Sequence, residues 1–190
     1  MPILILGLIL FLGVHTVSIA TPAWRDAAIG RIGEGPWKGL YSLVAVAGFV
    51  LILVGYGLAR QQPIVLYTPP AALRHVALVL MLPVFVLLFA AYLPGRIKSA
   101  TKHPLLVATK LWALAHLLAN GTAADVLLFG GFLAWAVADR VSLKRRPARP
   151  VPGAPARPLN DAIALVIGLA VYAAFIFGGH QRLFGVAPLS

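Results

Sequence analysis

The sequence predicts an all-α integral membrane protein, a bundle of six transmembrane helices with both termini on the periplasmic side. Three observations predict it. First, 61% of the 190 residues are hydrophobic and only 11% are charged, with a mean hydropathy of +0.92. Soluble domains carry about a quarter charged residues and about half apolar ones. Second, six apolar segments of crossing length follow one another, with prolines at their edges. Third, the basic residues between those segments fall overwhelmingly on one side.

A crossing needs about 20 residues to traverse a hydrocarbon core of ~30 Å. The candidate spans run at about 2–20, 38–59, 71–93, 104–120, 122–139 and 160–178. They must be helices, because every backbone amide in lipid needs an internal partner and no alternating barrel pattern of about 10 residues occurs. The first run lacks the basic n-region of a signal peptide and is read as a span. Its Gly7 and Gly13, with Thr16 and Ala20, are small enough to admit a neighbouring helix closely. In the third span Pro83 removes a backbone donor and predicts a kink near Leu80. Pro104 suits the first turn of the fourth span, where its missing amide proton costs nothing. Asp125, one turn into the fifth, is placed either to pair with Asn120 or to cap its own helix.

Twelve Lys and Arg lie in the first, third and fifth loops, among them Arg25, Lys98 and Arg145; three, Arg60, Arg74 and Arg182, lie on the other side. The positive-inside rule puts the odd loops in the cytoplasm. A formal charge of +11 would suggest nucleic acid in a soluble protein. Here it marks topology and contact with anionic head groups, and no nucleic-acid partner is expected. The chain therefore divides into a core of five helices (1–142), a basic, Pro-rich connector expected to be extended or disordered (143–159), and a sixth helix with its tail (160–190). This is a multi-pass protein in contact with membrane lipid, expected in a bacterial inner membrane.

No cysteine is present, which excludes disulfides, thiolate metal sites and cysteine nucleophiles. Any metal falls to five histidines: His15, His75, His103, His116 and His180. The fourth span is the most informative, since it keeps Lys110, His116 and Asn120 among aliphatic residues. A lysine at a helix centre costs roughly 2.5–3.5 kcal/mol to insert. His116 and Asn120, four apart, share a face, and Lys110 stacks over His103. Each has two readings. His116 and His15 serve as ligands or proton carriers, or simply hydrogen-bond between helices. Lys110 works in a site or snorkels to the interface. His103 is a mouth ligand or a solvated residue before a helix-starting proline, while His75 and His180 read as interfacial.

The run His103-Pro-Leu, Lys110-Leu-Trp-Ala-Leu-Ala-His116 and Asn120-Gly121 resembles the signature of the NnrU family of bacterial membrane proteins. Gly95-Arg-Ile-Lys, Tyr41-Ser-Leu and Gly13-Val-His15 carry the same resemblance, which extends to about residue 142. Thr122 stands where the family commonly has Asp after Asn-Gly. The resemblance implies a link to denitrification. It also implies kinship with 15-cis-ζ-carotene isomerase, a membrane protein carrying haem b on histidines. By motif the implied metal ligands are His15 and His116, with His103 able to exchange at the iron. Asn120 would orient the His116 ring and Lys110 would neutralise a propionate. The function expected is a redox-gated cis-trans isomerase acting on a polyene or other lipid-soluble substrate, or a nitric-oxide or haem sensor. The alternative is a non-enzymatic factor that supports assembly or expression of a respiratory complex, nitrite or nitric oxide reductase.

Overall fold

A computed structural model of the chain describes residues 1–146, 149 and 152–189. It is 78% helical, and no strand is formed among the described residues. Nine α-helices are described: α1 (Pro2–Ala20), α2 (Pro22–Ile32), α3 (Glu34–Ala59), α4 (Ala72–Tyr92), α5 (Arg96–Thr101), α6 (Pro104–Ala119), α7 (Ala123–Ser142), α8 (Asn160–Ala174) and α9 (His180–Phe184), with a π turn (Phe175–Gly179) between the last two. Four helices are long and apolar enough to cross a membrane: Pro2–Ala20, Glu34–Ala59, Ala72–Tyr92 and Asn160–Phe184. Large apolar side chains lie exposed along them, Leu43, Val79 and Val166 each more than 60%, as lipid contact requires. Of the two remaining expected spans, α6 is apolar but 16 residues long. The other, α7, carries Asp125, Asp139 and Arg140.

The helices group into two compact units, Met1–Thr68 with Gly121–Arg146, and Pro69–Asn120 with Pro147–Ser190. In the first unit α1 and α3 pack backbone to backbone. A Cβ on Gly48 would lie 2.6 Å from the Phe11 amide nitrogen, and one on Gly7 would lie 2.6 Å from that of Ile52. At Gly55 a Cβ would overlap the Leu4 main chain, and the Leu4 side chain is fully buried there. Small residues open this approach, as in many membrane helix pairs. Gly13, also expected to serve close packing, has no neighbour within 4 Å. The first loop is more ordered than its composition suggests. Pro22 starts α2 at its first turn, and Gly33, at φ 87°, stops it. Trp24 and Trp37 meet with ring centres 5.8 Å apart.

After α3 the chain runs as a strap beside Gly121. The Leu66 and Tyr67 amides donate to the Gly121 carbonyl at 2.9 and 3.1 Å, and the Ala123 amide donates to that of Ile64 at 2.8 Å. Any side chain at position 121 would run into the Tyr67 carbonyl, which is the physical reason for glycine in the Asn-Gly motif. Thr122 then caps α7. Its hydroxyl accepts from the Asp125 amide at 3.2 Å, and the Asp125 carboxylate accepts from the Thr122 amide at 2.9 Å, a reciprocal capping box. Asp125, 4% exposed, also accepts from the Tyr56 hydroxyl at 2.6 Å. Of its two expected roles, capping is the one its bonds serve. Burial and then the Asp125 charge raise the Tyr67 hydroxyl above its ordinary pKa. At the other end of α7, Asp139 pairs with Arg146, whose guanidinium also donates to the Ser18 carbonyl at 2.7 Å.

In the second unit α4 packs against α6 and α8. Val84, Leu87 and Ala108 form its buried core, with Met81, Leu111 and Trp112 around them. Gly168 lets α8 approach α4 until a Cβ would lie 2.6 Å from the Val86 backbone. Pro83 lies inside α4, which continues through it. The start of α8 closes the lower loops. Asp161 accepts from the Arg96 and Ile97 amides at 2.7 and 3.1 Å, capping α5. Asn160 donates to the carbonyls of Pro94 and Pro155. Of the basic connector, residues 147, 148, 150 and 151 lie outside the described residues. Its later part is irregular but held, the Ala154 amide donating to the Tyr92 carbonyl at 2.8 Å.

Candidate functional site

Each unit builds a cluster around a histidine on an apolar helix, His15 on α1 and His116 on α6. In the first, His15 is ringed by Phe11, Tyr41 and Trp135, with centres 4.4, 5.3 and 5.8 Å away. Its Nδ1 bonds the Phe11 carbonyl, one helical turn back, at 2.6 Å. A carbonyl only accepts, so Nδ1 carries the proton and Nε2 holds the lone pair. The Trp135 Nε1–H is buried beside this ring with no hydrogen-bond partner, a donor for any acceptor-bearing ligand that enters.

In the second unit a cavity encloses about 220 Å³, within about 930 Å³ of space once its mouth is counted. Its walls are mainly apolar, from Leu78, Met81, Phe85 and Ile176, and its polar lining comes from Arg74, His116, Asn120, Tyr172 and His180. His116 sits in the last turns of α6, half-buried. Its Nδ1 bonds the Trp112 carbonyl at 2.8 Å, so the helix's own backbone orients the ring. Asn120 donates instead to the His116 main-chain carbonyl at 2.9 Å. Tyr172 ties α8 to α4 by donating to the Leu78 carbonyl at 2.8 Å.

The ring facing His116 is that of His180, with centres 6.5 Å apart and planes inclined by 33°. By sequence His180 reads as interfacial. The signals available for it were the Gly178-Gly179 pair before it and Gly185 after it. His180 Nδ1 bonds the Val186 carbonyl at 2.7 Å, so its ring too carries the Nε2 lone pair. Lys110 and His103 are half-buried but do not line this cavity; its cationic wall is Arg74. His103 precedes α6, its backbone amide donating to the Thr101 carbonyl at 2.7 Å. His75 is exposed.

These features define a class: an all-helical, multi-pass membrane protein with polar chemistry gathered at histidines set among apolar helices. The chain belongs to the NnrU family, described as NnrU protein, whose match covers residues 3–188. That match takes in the connector, the last helix and His180, well past the point where the motif resemblance stopped. No curated protein and no solved structure matches the chain.

Whether the residues fit a haem iron is a question of donors and room. An imidazole whose Nδ1 is held by a carbonyl is the form that binds metals through Nε2, and His15, His116 and His180 all meet that condition. Among the described residues no three His, Cys, Asp or Glu converge as an ion site. Haem iron asks for less, one or two axial ligands. Ligand pockets commonly hold about 300–1,000 Å³. The enclosed 220 Å³ lies below that range, so a large flat ligand would be only partly enclosed. On donors the His116 cavity fits, and on room it takes part of such a ligand.

Proposed function

We propose that this protein crosses the bacterial inner membrane six times with both termini periplasmic, and that it binds haem b with His116 as an axial ligand. The supporting observation is the His116 ring itself, its Nδ1 fixed by the Trp112 carbonyl and its other edge on an apolar-walled cavity. When bound, haem supplies a redox-active iron that can take a small ligand such as nitric oxide or polarise a double bond.

The chain's own residues do the rest. The α6 backbone fixes the tautomer of His116. Arg74 puts a positive charge on the cavity wall, suited to a propionate. Leu78, Met81, Phe85 and Ile176 exclude water and admit a lipid-soluble polyene. On this reading the protein is a redox-gated, isomerase-like enzyme. A nitric-oxide sensor linked to denitrification would use the same centre.

The test is the visible spectrum of detergent-purified protein, before and after haem addition. A Soret band that sharpens into α and β bands on reduction, and is lost or shifted in His116→Ala, is the expected result. A preparation that stays colourless after haem addition overturns the reading and leaves the non-enzymatic assembly factor. Haem uptake without polyene isomerisation under reducing conditions selects the sensor.

A further inference from the structure

We propose that His180 is the second imidazole at the His116 centre, so that the two rings bind one haem iron from opposite sides. The inference rests on the haem reading above and departs from the motif resemblance, which points to His15 for that position.

The spacing of the two rings suits one iron. Imidazoles ligate metals through nitrogen at about 2.0–2.1 Å, so two rings on opposite sides of one metal bring their centres to about 6.3 Å. The His116 and His180 centres lie 6.5 Å apart. Ring chemistry agrees. The two nitrogens of an imidazole lie on opposed edges. With both Nδ1 atoms turned to backbone carbonyls, both Nε2 lone pairs point away from the segments that hold them.

The backbone around His180 is shaped to place its ring. The helix turns at a kink over Phe175–Gly179, where Gly178 at φ 149° takes a conformation that residues with a side chain rarely adopt. After α9, Gly185 at φ 73° sends the chain back so that the Val186 carbonyl reaches the His180 ring. Phe184 packs on the same ring at 4.9 Å. The turn, the two positive-φ glycines and the Val186 bond share one outcome: a fixed imidazole on the wall that His116 lines.

The experiment compares electron paramagnetic resonance and absorption spectra of ferric, haem-loaded wild type, His180→Ala and His15→Ala. Wild type should be six-coordinate and low-spin. His180→Ala should keep its haem through His116 but turn high-spin, and free imidazole should restore the low-spin spectrum. That rescue separates a lost ligand from a damaged fold. His15→Ala should stay low-spin. A low-spin His180→Ala protein, or conversion by His15→Ala instead, overturns the assignment while the haem reading stands. Wild type that takes up no haem overturns both.

Discussion

The backbone seam between α1 and α3 makes a sharp prediction at Gly48. A Cβ there would lie 2.6 Å from the Phe11 amide nitrogen, 3.0 Å from its Cα and 3.1 Å from the Gly7 carbonyl oxygen. All three are main-chain atoms, so no rotamer change relieves the overlap. The helices must separate by several tenths of an ångström along a contact that includes Leu4, Gly7 and Ile52. Overpacking of this kind typically costs about 1–3 kcal/mol. For a chain of this length each kcal/mol lowers the melting temperature by roughly 2–4 °C, so Gly48→Ala should lower it by roughly 2–12 °C. The control is Gly13→Ala on the opposing helix, where a Cβ meets nothing within 4 Å. There the gain in helix propensity of up to about 1 kcal/mol applies without a clash. Thermal unfolding in detergent, followed by circular dichroism, reads both. Equal melting temperatures for the two variants would refute the seam. A second readout follows from Phe11, whose carbonyl holds the His15 ring: a displaced α1 should alter the fluorescence of Trp135, packed on that ring.

Two further outcomes follow from the charges. Arg146→Ala leaves Asp139, 8% exposed, without its ion-pair partner. Removing one member of a buried pair typically costs about 3–5 kcal/mol. Denaturation in mixed micelles should therefore show a large loss that Asp139→Asn in the same chain partly restores; a loss below 1 kcal/mol on this scale would mean that the pair is solvated. Topology is testable because the wild-type chain has no cysteine. A single cysteine replacing Arg157 should react with a membrane-impermeant maleimide only in inverted vesicles, and one replacing Gln62 only in intact spheroplasts. The reverse pattern would invert the proposed orientation.

What the sequence disclosed and what it withheld divide along physical lines. Hydropathy is a sum over neighbours, so the four long apolar helices were readable from local composition. So were the polar positions of α6, because a lysine, histidine and asparagine among aliphatics break that sum wherever they fall. Helix α2 was missed for the same reason, since residues 22–32 carry no apolar stripe and are helical through Pro22 at the start and Gly33 at the stop. Gly7 and Gly13 look alike in sequence. Only α3, with Gly48 and Gly55 seven residues apart on one face, decides that Gly7 is a contact and Gly13 is not.

The site turns on the same distinction. His116 announced itself by being polar in an apolar helix, whereas His180 follows an apolar helix and reads as its polar end. Its place beside His116 comes from two positive-φ glycines and a carbonyl six residues on, features of a returning chain rather than of a helix face. Thr122, which departs from the motif, shows the converse. Its hydroxyl satisfies the first turn of α7 as an Asp at that position would, so the departure leaves the local structure intact. Gly121 of the motif and Thr122 after it are thus accounted for by backbone needs. His116 and His180 each spend one ring nitrogen on a backbone carbonyl, of Trp112 and Val186, and what the other nitrogen does is what the proposed haem centre puts to the test.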